Sequence, residues 1–127
     1  MILLDSSVII ELFRKKDKQN TLFYKIAESY SELYISSLTH YEVGIGNKEK
    51  HFDYWQTLCN NLTVIPFDKT CSLTAISIYK KLTGRNKMID LADILIGATA
   101  VSHHFPIATL NAKHFERIEH LEIIAHL

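Results

Sequence analysis

The residues best able to do chemistry in this chain are acids placed where short apolar runs end. Asp5 directly follows Ile2-Leu3-Leu4, and Glu42 lies a few residues beyond the run Leu33–Ser36. Asp90 and Asp93 open the apolar stretch that continues to Ser102, and an amide, Asn111, stands just after Pro106–Thr109. Carboxylates crowded within about 4–6 Å raise one another's pKa values, so a cluster of them calls for a countercharge. A hard divalent cation is the usual one, because Mg²⁺ prefers oxygen ligands and keeps several waters. Two such ions about 3.5–4 Å apart activate a water and stabilise the leaving oxygen of a phosphodiester.

Each of these residues also has a purely structural role open to it. Asp5 is placed to cap the helix that comes next, and Asn111 to cap a short one after it. Glu42, three residues after Thr39, could complete a capping box. Asp90 and Asp93 suit an N-cap and an N3 position, where the helix dipole favours acids. Caps require only a polar atom, however, and Ser, Thr or Asn would serve; a set of acids at strand ends is not explained by capping alone.

The elements that must position these acids emerge from the apolar periodicity. Short buried strands are expected at Ile2–Leu4, Leu33–Ser36, Thr63–Ile65, Pro106–Thr109 and Leu121–Ile124. Helices are expected from Val8 to Phe13 (with Ser6 or Ser7 as cap), Thr21 to Tyr30, Ser37 to Ile45 and Lys48 to Leu62. Leu73, Ile76 and Lys80 stand at helical spacing up to Gly84, a natural stop, and a short helix covers Ala112–Arg117. The strongest helix, Asp90–Ser102, carries Leu91, Leu95, Ala98 and Val101 along one face. Strands alternating with helices imply an α/β fold whose mostly parallel five-stranded sheet is flanked by helices on both faces. Polar chemistry in such sheets collects at the carboxyl ends of the strands.

At 127 residues the sequence fits one domain, residues 1–127, with roughly two-thirds of its unfolded surface buried. The 47% hydrophobic and 22% charged fractions exclude a disordered tail. No signal peptide or transmembrane run is present, so a cytoplasmic protein away from membranes is expected. Cys59 and Cys71 lack metal-ligand spacing and read as reduced thiols. No histidine pair has the spacing of a zinc helix, His103, His104, His114, His120 and His126 included. The formal net charge is zero, yet Arg14, Lys15, Lys16 and Lys18 form one basic cluster and Lys80, Lys81, Arg85 and Lys87 a second. Such clusters are either solvated helix ends or steering groups for a phosphate backbone.

Four segments in order, Ile2-Leu-Leu-Asp5-Ser-Ser, Ser36-Ser-Leu-Thr-His-Tyr-Glu42, Ala92-Asp93-Ile-Leu-Ile-Gly-Ala-Thr-Ala100 and Ile107-Ala-Thr-Leu-Asn111-Ala-Lys-His-Phe115, resemble the PIN-domain ribonucleases, and within them the VapC-like toxins of toxin–antitoxin pairs. The resemblance covers almost the whole chain. It implies a Rossmann-like PIN domain, cleavage of RNA dependent on Mg²⁺ or Mn²⁺, a homodimer, and silencing by a cognate antitoxin protein. It assigns the metal and the catalysis to Asp5, Glu42 and Asp93. Ser6, Ser7, Asp90, Thr109 and Asn111 then support those ligands or their waters. Arg14, Lys15, Lys16, Lys80, Lys81, Arg85 and Lys87 become candidate RNA contacts. The family often has a fourth acid where Asn111 stands, which puts a second metal ion in question, and often Ala where Gly97 keeps a small residue beside the pocket. Two other readings stand beside it: a PIN-like scaffold without activity, and a receiver-like signalling module. For the latter, Glu11 lies too far along its helix and Lys113 is a weak candidate lysine.

Overall fold

Leu3 is fully buried on one face of the sheet, and Ile2 and Leu4 on the other, because successive strand side chains point to opposite sides. The same alternation places Ile107 in one core and Ala108 in the opposite one. A strand apolar on both faces needs helices on both faces, and the computed structural model, which describes residues 1–127, has that arrangement.

The strands are β1 (Ile2–Leu4), β2 (Leu33–Ser36), β3 (Thr63–Ile65), β4 (Ile107–Ala108) and β5 (Ile123–Ile124), and they form one sheet in the order β3-β2-β1-β4-β5. Every pairing is parallel, with Leu3 opposite Tyr34 on one side and Ile107 on the other. Helices α1 (Ser6–Arg14), α2 (Leu22–Ser29) and α4 (Phe52–Asn60) share the core that holds Ile2, Leu4 and Trp55. Helices α5 (Lys69–Gly84) and α6 (Leu91–His103) share the other, with Leu3, Phe115 and Ile118. Helix α3 (Ser37–Gly46) starts directly at the end of β2. The expected α/β class with a five-stranded sheet is observed, and the sheet is parallel throughout.

Several local expectations shift for physical reasons. Residues 48–62 divide into a 3₁₀ turn, Glu49–His51, and α4. Of the expected helix at Ala112–Arg117 only a 3₁₀ turn, Ala112–His114, forms; Phe115 and Glu116 both bond back to Ala112 O, and the chain then turns Phe115 and Ile118 into the core. Helix α5 does end at Gly84, but the left-handed residue beyond it is Asn86 (φ 54°), whose short polar side chain tolerates that region. On α5 the buried side chains are Cys71, Ala75, Ile78 and Leu82, while Leu73 and Ile76 face outward. On α6 the buried set is Ile94, Ile96 and Gly97–Ala100, and Leu91 is 69% exposed. Helix α6 is covered nearly all round, so its sequence lacks the one-sided pattern that marks a buried face. Cys59 and Cys71 are both free thiols.

Candidate active site

Strand β1 lies at the centre of the sheet, and the chain progresses to β2 and β3 on one side and to β4 and β5 on the other. The strand order therefore reverses between β1 and β4, the position at which open α/β sheets place their ligands. Asp5 ends β1 there and is 4% exposed. It holds the N-cap position of α1 but makes no side-chain capping bond. Its Oδ2 instead accepts from Ser7 Oγ at 2.8 Å and from Thr109 Oγ1 at 2.9 Å. Ser7 Oγ also accepts the N–H of Leu110, and Thr109 Oγ1 that of Asn111. The two hydroxyls thus fasten the end of β4 to the end of β1 and fix the carboxylate.

Glu42 stands in the middle of α3. Helix α3 is capped by Ser36, whose Oγ accepts from Thr39 N at 3.0 Å, so the capping role open to Glu42 is already filled. Its Oε1 is buried and has no hydrogen-bond partner. Burial pushes the Glu42 carboxyl above its ordinary pKa, and the charges of Asp5 and then Asp93 push it further, while the Ser6 hydroxyl opposes the rise. Asp93, in the first turn of α6, is also raised, first by burial and then by Asp5 and Asp90; His114 works the other way. The His114 Nδ1 lies 3.2 Å from Asp93 Oδ2. Asp90 takes the N-cap position of α6 without a side-chain capping bond and adds to the negative charge felt by Asp93.

Asp5, Glu42 and Asp93 therefore come close enough to feel one another's charge. They do not close into a cage, since no three Asp, Glu, His or Cys side chains have the spacing of a complete metal-ligand set. Like charges hold such groups apart, and a Mg²⁺ site keeps several waters and needs only one or two direct carboxylates. Asn111 is exposed and its side chain caps nothing.

The basic clusters divide. Arg14 lines a groove shared with Glu42. Lys15 pairs with Glu11 at 3.3 Å, and Lys18 donates to Leu12 O and Lys15 O, so those two side chains hold the α1–α2 connection. Lys16 is exposed. Lys81 and Arg85 both pair with Glu119, and Lys80 and Lys87 are exposed. Glu11 accepts the Leu22 N–H at 2.8 Å, a structural task remote from that of a receiver acid. The Gly97 position also differs from expectation: a Cβ there would meet Ile118, Phe115 and Leu121, so the small residue serves packing against residues 115–121. Sequence reasoning misses His114 as a partner for Asp93, because the two lie 21 positions apart on separate elements and no spacing marks the pair. It also misses the buried Asn47 Oδ1, which like Glu42 Oε1 has no partner.

The PIN domain family model matches residues 2–121. The chain belongs to the PIN-domain family. Ribonuclease VapC of Rickettsia bellii is 31% identical to it, over 97% of this chain and 94% of that protein. Ribonuclease VapC1 of Methanocaldococcus jannaschii is also 31% identical, over 93% and 81%. Among solved structures, VapBC2 of Rickettsia felis bound to a promoter DNA fragment contains a chain with a TM-score of 0.87 at 22% identity, covering 98% of each. A second structural match is a chain of FitAB bound to a DNA fragment, with a TM-score of 0.81 at 25% identity, over 100% of this chain and 97% of the other.

This PIN-domain site is open to two direct tests. Thr109 is fully buried and gives its hydroxyl to Asp5, so Thr109→Val is expected to cost about 1–3 kcal/mol by leaving the Asn111 N–H unmet. With Asp5 in the metal-ligand role that the sequence resemblance assigns it, loss of its tether should lower activity about 10–100-fold, the usual scale for outer partners of such ligands. Urea unfolding and turnover on one sample check both. The second test concerns pH. Raised pKa values mean that the fold prefers protonated Glu42 and Asp93, so in chelator their support for the fold is full below the ordinary carboxylate range. That support is lost as pH rises through the raised values. Glu42→Gln should therefore exceed wild type in Tm at neutral pH in chelator, with the gap closing in acid; a gap constant with pH would contradict the charge repulsion.

Proposed function

We propose that this chain is a divalent-metal-dependent endoribonuclease, the toxin of a toxin–antitoxin pair. The observation that carries the proposal is Glu42: a buried carboxylate oxygen without a hydrogen-bond donor, raised in pKa by burial and by the charges of Asp5, which ends β1 at the strand-order reversal, and Asp93. An all-oxygen donor set of that kind fits Mg²⁺ or Mn²⁺, held by Asp5, Glu42 and Asp93 directly or through water. Such an ion supplies charge stabilisation to the phosphodiester and acidifies a bound water. The chain's own residues do the positioning. Ser7 and Thr109 hold Asp5, Ser6 favours ionised Glu42, and His114 favours ionised Asp93. Asn111 contributes no charge, so we assign one metal ion rather than two.

The substrate assignment to RNA is supported by the relatives named as ribonucleases. An antitoxin partner is supported by the solved VapBC complexes. We further propose a homodimer through α5 and α6, where the exposed Ile76, Tyr79 and Leu91 line one shared groove. Sedimentation of the purified chain tests it. A cytoplasmic location fits a toxin acting on RNA, and no helix is long and apolar enough to cross a membrane.

The deciding experiment is cleavage of single-stranded RNA by purified protein with Mg²⁺ or Mn²⁺, and again with EDTA. Cleavage that stops in EDTA and returns with metal is the expected result. Cleavage indifferent to EDTA overturns the metal chemistry, and no cleavage under any metal leaves the scaffold reading in its place.

A further inference from the structure

Phe13, in the last turn of α1, is in contact with three other rings. Tyr54 and Trp55 of α4 meet it edge-on, with centroids at 5.5 and 6.0 Å, and the His51 imidazole stacks against it at 5.5 Å and 28°. Trp55 is buried in the core beneath, so the His51 ring rests on a braced support. His51 itself closes the 3₁₀ turn Glu49–His51, with its backbone N–H on Lys48 O at 2.8 Å, and its side chain stays half-exposed.

The same two segments supply charge. Lys48 and Lys50 are exposed at the turn, Arg14 is exposed beside Phe13, and none of the three is in an ion pair. The second basic cluster differs, since Glu119 neutralises Lys81 and Arg85 there. Phe13, His51 and the three unpaired cations line one groove of about 500 Å³, whose single acidic residue is Glu42. The groove therefore joins the carboxylate assigned to the metal to free cations and a supported aromatic ring. Proteins hold single strands with those two parts, phosphates on the cations and a base on the ring. An acidic peptide would use the cations and leave the ring idle. A duplex would do the same, because its bases are stacked on one another.

We propose that this groove seats the RNA strand beside the metal site, with a base stacked on His51 and neighbouring phosphates on Arg14, Lys48 and Lys50. The inference rests on the ribonuclease reading and adds substrate-positioning residues to it. A strand held here lies next to Glu42 and is presented to the ion from one side. Every base has a face to stack, so the seat selects unpaired RNA rather than a sequence.

The test measures binding in EDTA, where strands are not cut, of a short fluorescent RNA of mixed sequence, alone or annealed to its complement. His51→Ala should weaken the single strand about tenfold, the scale of one lost base stack, and leave the duplex unchanged. His51→Phe, which keeps a flat ring, should restore the single strand. Lys48→Gln and Lys50→Gln should each flatten the plot of log affinity against log salt by about 0.7. In the unmutated protein the His51 ring protons should move upfield with the single strand and not with the duplex, a reading independent of how the variants fold. Unmoved ring protons, or a His51→Ala loss shared equally by single strand and duplex, overturn the seat. If wild type cuts RNA with metal yet fails these tests, only the seat falls; if it neither cuts nor binds RNA, the ribonuclease reading falls with it. A groove that takes a glutamate-rich peptide and neither RNA is a protein-docking surface, which also overturns the inference.

Discussion

Asp93→Asn is expected to lower RNA turnover about 10²–10³-fold, because losing one of the three proposed metal ligands removes several kcal/mol of charge stabilisation and each ~1.4 kcal/mol is tenfold in rate. A helix-terminal acid with no further role would cost only about 0.3–1 kcal/mol of stability and leave turnover alone. The charge around Asp93 gives the two cases different signs in stability. Asp93 stands at the N3 position of α6, where a helix-terminal acid also stands, but burial together with Asp5 and Asp90 raises its pKa, so its negative charge is a burden on the metal-free fold. Asn removes that charge, keeps an oxygen facing His114 and nearly preserves volume. The folded variant should therefore melt at or above the wild-type temperature in EDTA. With saturating Mg²⁺ the order should reverse, since ion binding to the native state stabilises wild type and not the variant. Tm with and without metal, and cleavage on the same preparation, read all of this. A folded Asp93→Asn protein with wild-type turnover would end the proposal for this site.

Legibility in the sequence differs residue by residue. The strand ends are legible because β1, β2 and β4 are short runs apolar on both faces, each closed by a polar residue: Asp5, Ser37 and Thr109. Parallel strands then bring the residues after them to one edge of the sheet. The helix faces are less legible. Leu73 and Ile76 have the spacing of a buried stripe but stand outside, while the small residues Cys71 and Ala75 face in. Helix α5 packs closely against α6, and close packing selects small side chains that hydropathy does not single out. Glu42 illustrates a different gap. Its distance from Thr39 suggests a capping box, and only the structure assigns the cap to Ser36 and leaves Glu42 Oε1 without a partner. The basic clusters read as two equal patches, yet Glu119, 34 residues from Arg85 in the chain, takes two members of the second. Pairings at that separation leave no periodic trace.

Phe115→Ala is expected to destabilise the protein by about 3–5 kcal/mol, the usual cost of truncating a buried Phe, against a total of about 5–15 kcal/mol for a native domain. Phe115 is fully buried and ranks among the largest side chains that are. It lies with Ile118 in the core that includes Leu3 and α6, and an atom of its ring would stand 3.6 Å from a Cβ built on Gly97. No regular helix or strand spans 115–121, and the 3₁₀ turn before it is capped by no side chain, so these apolar anchors hold the segment in place. Phe115→Leu, which keeps most of the volume, should cost less than half as much. Urea unfolding of both variants gives the comparison, and a cost below about 1 kcal/mol for the Ala variant would show that the segment is not part of the cooperative core. The functional consequence comes through the neighbouring residue. His114 reaches Asp93 from this segment and opposes the rise in its pKa, so a loosened segment leaves Asp93 harder to ionise. Activity per folded molecule of Phe115→Ala should then fall in the direction of His114→Ala. The loss should shrink at higher pH, where Asp93 ionises without help; a loss independent of pH would mean that His114 acts on something other than Asp93.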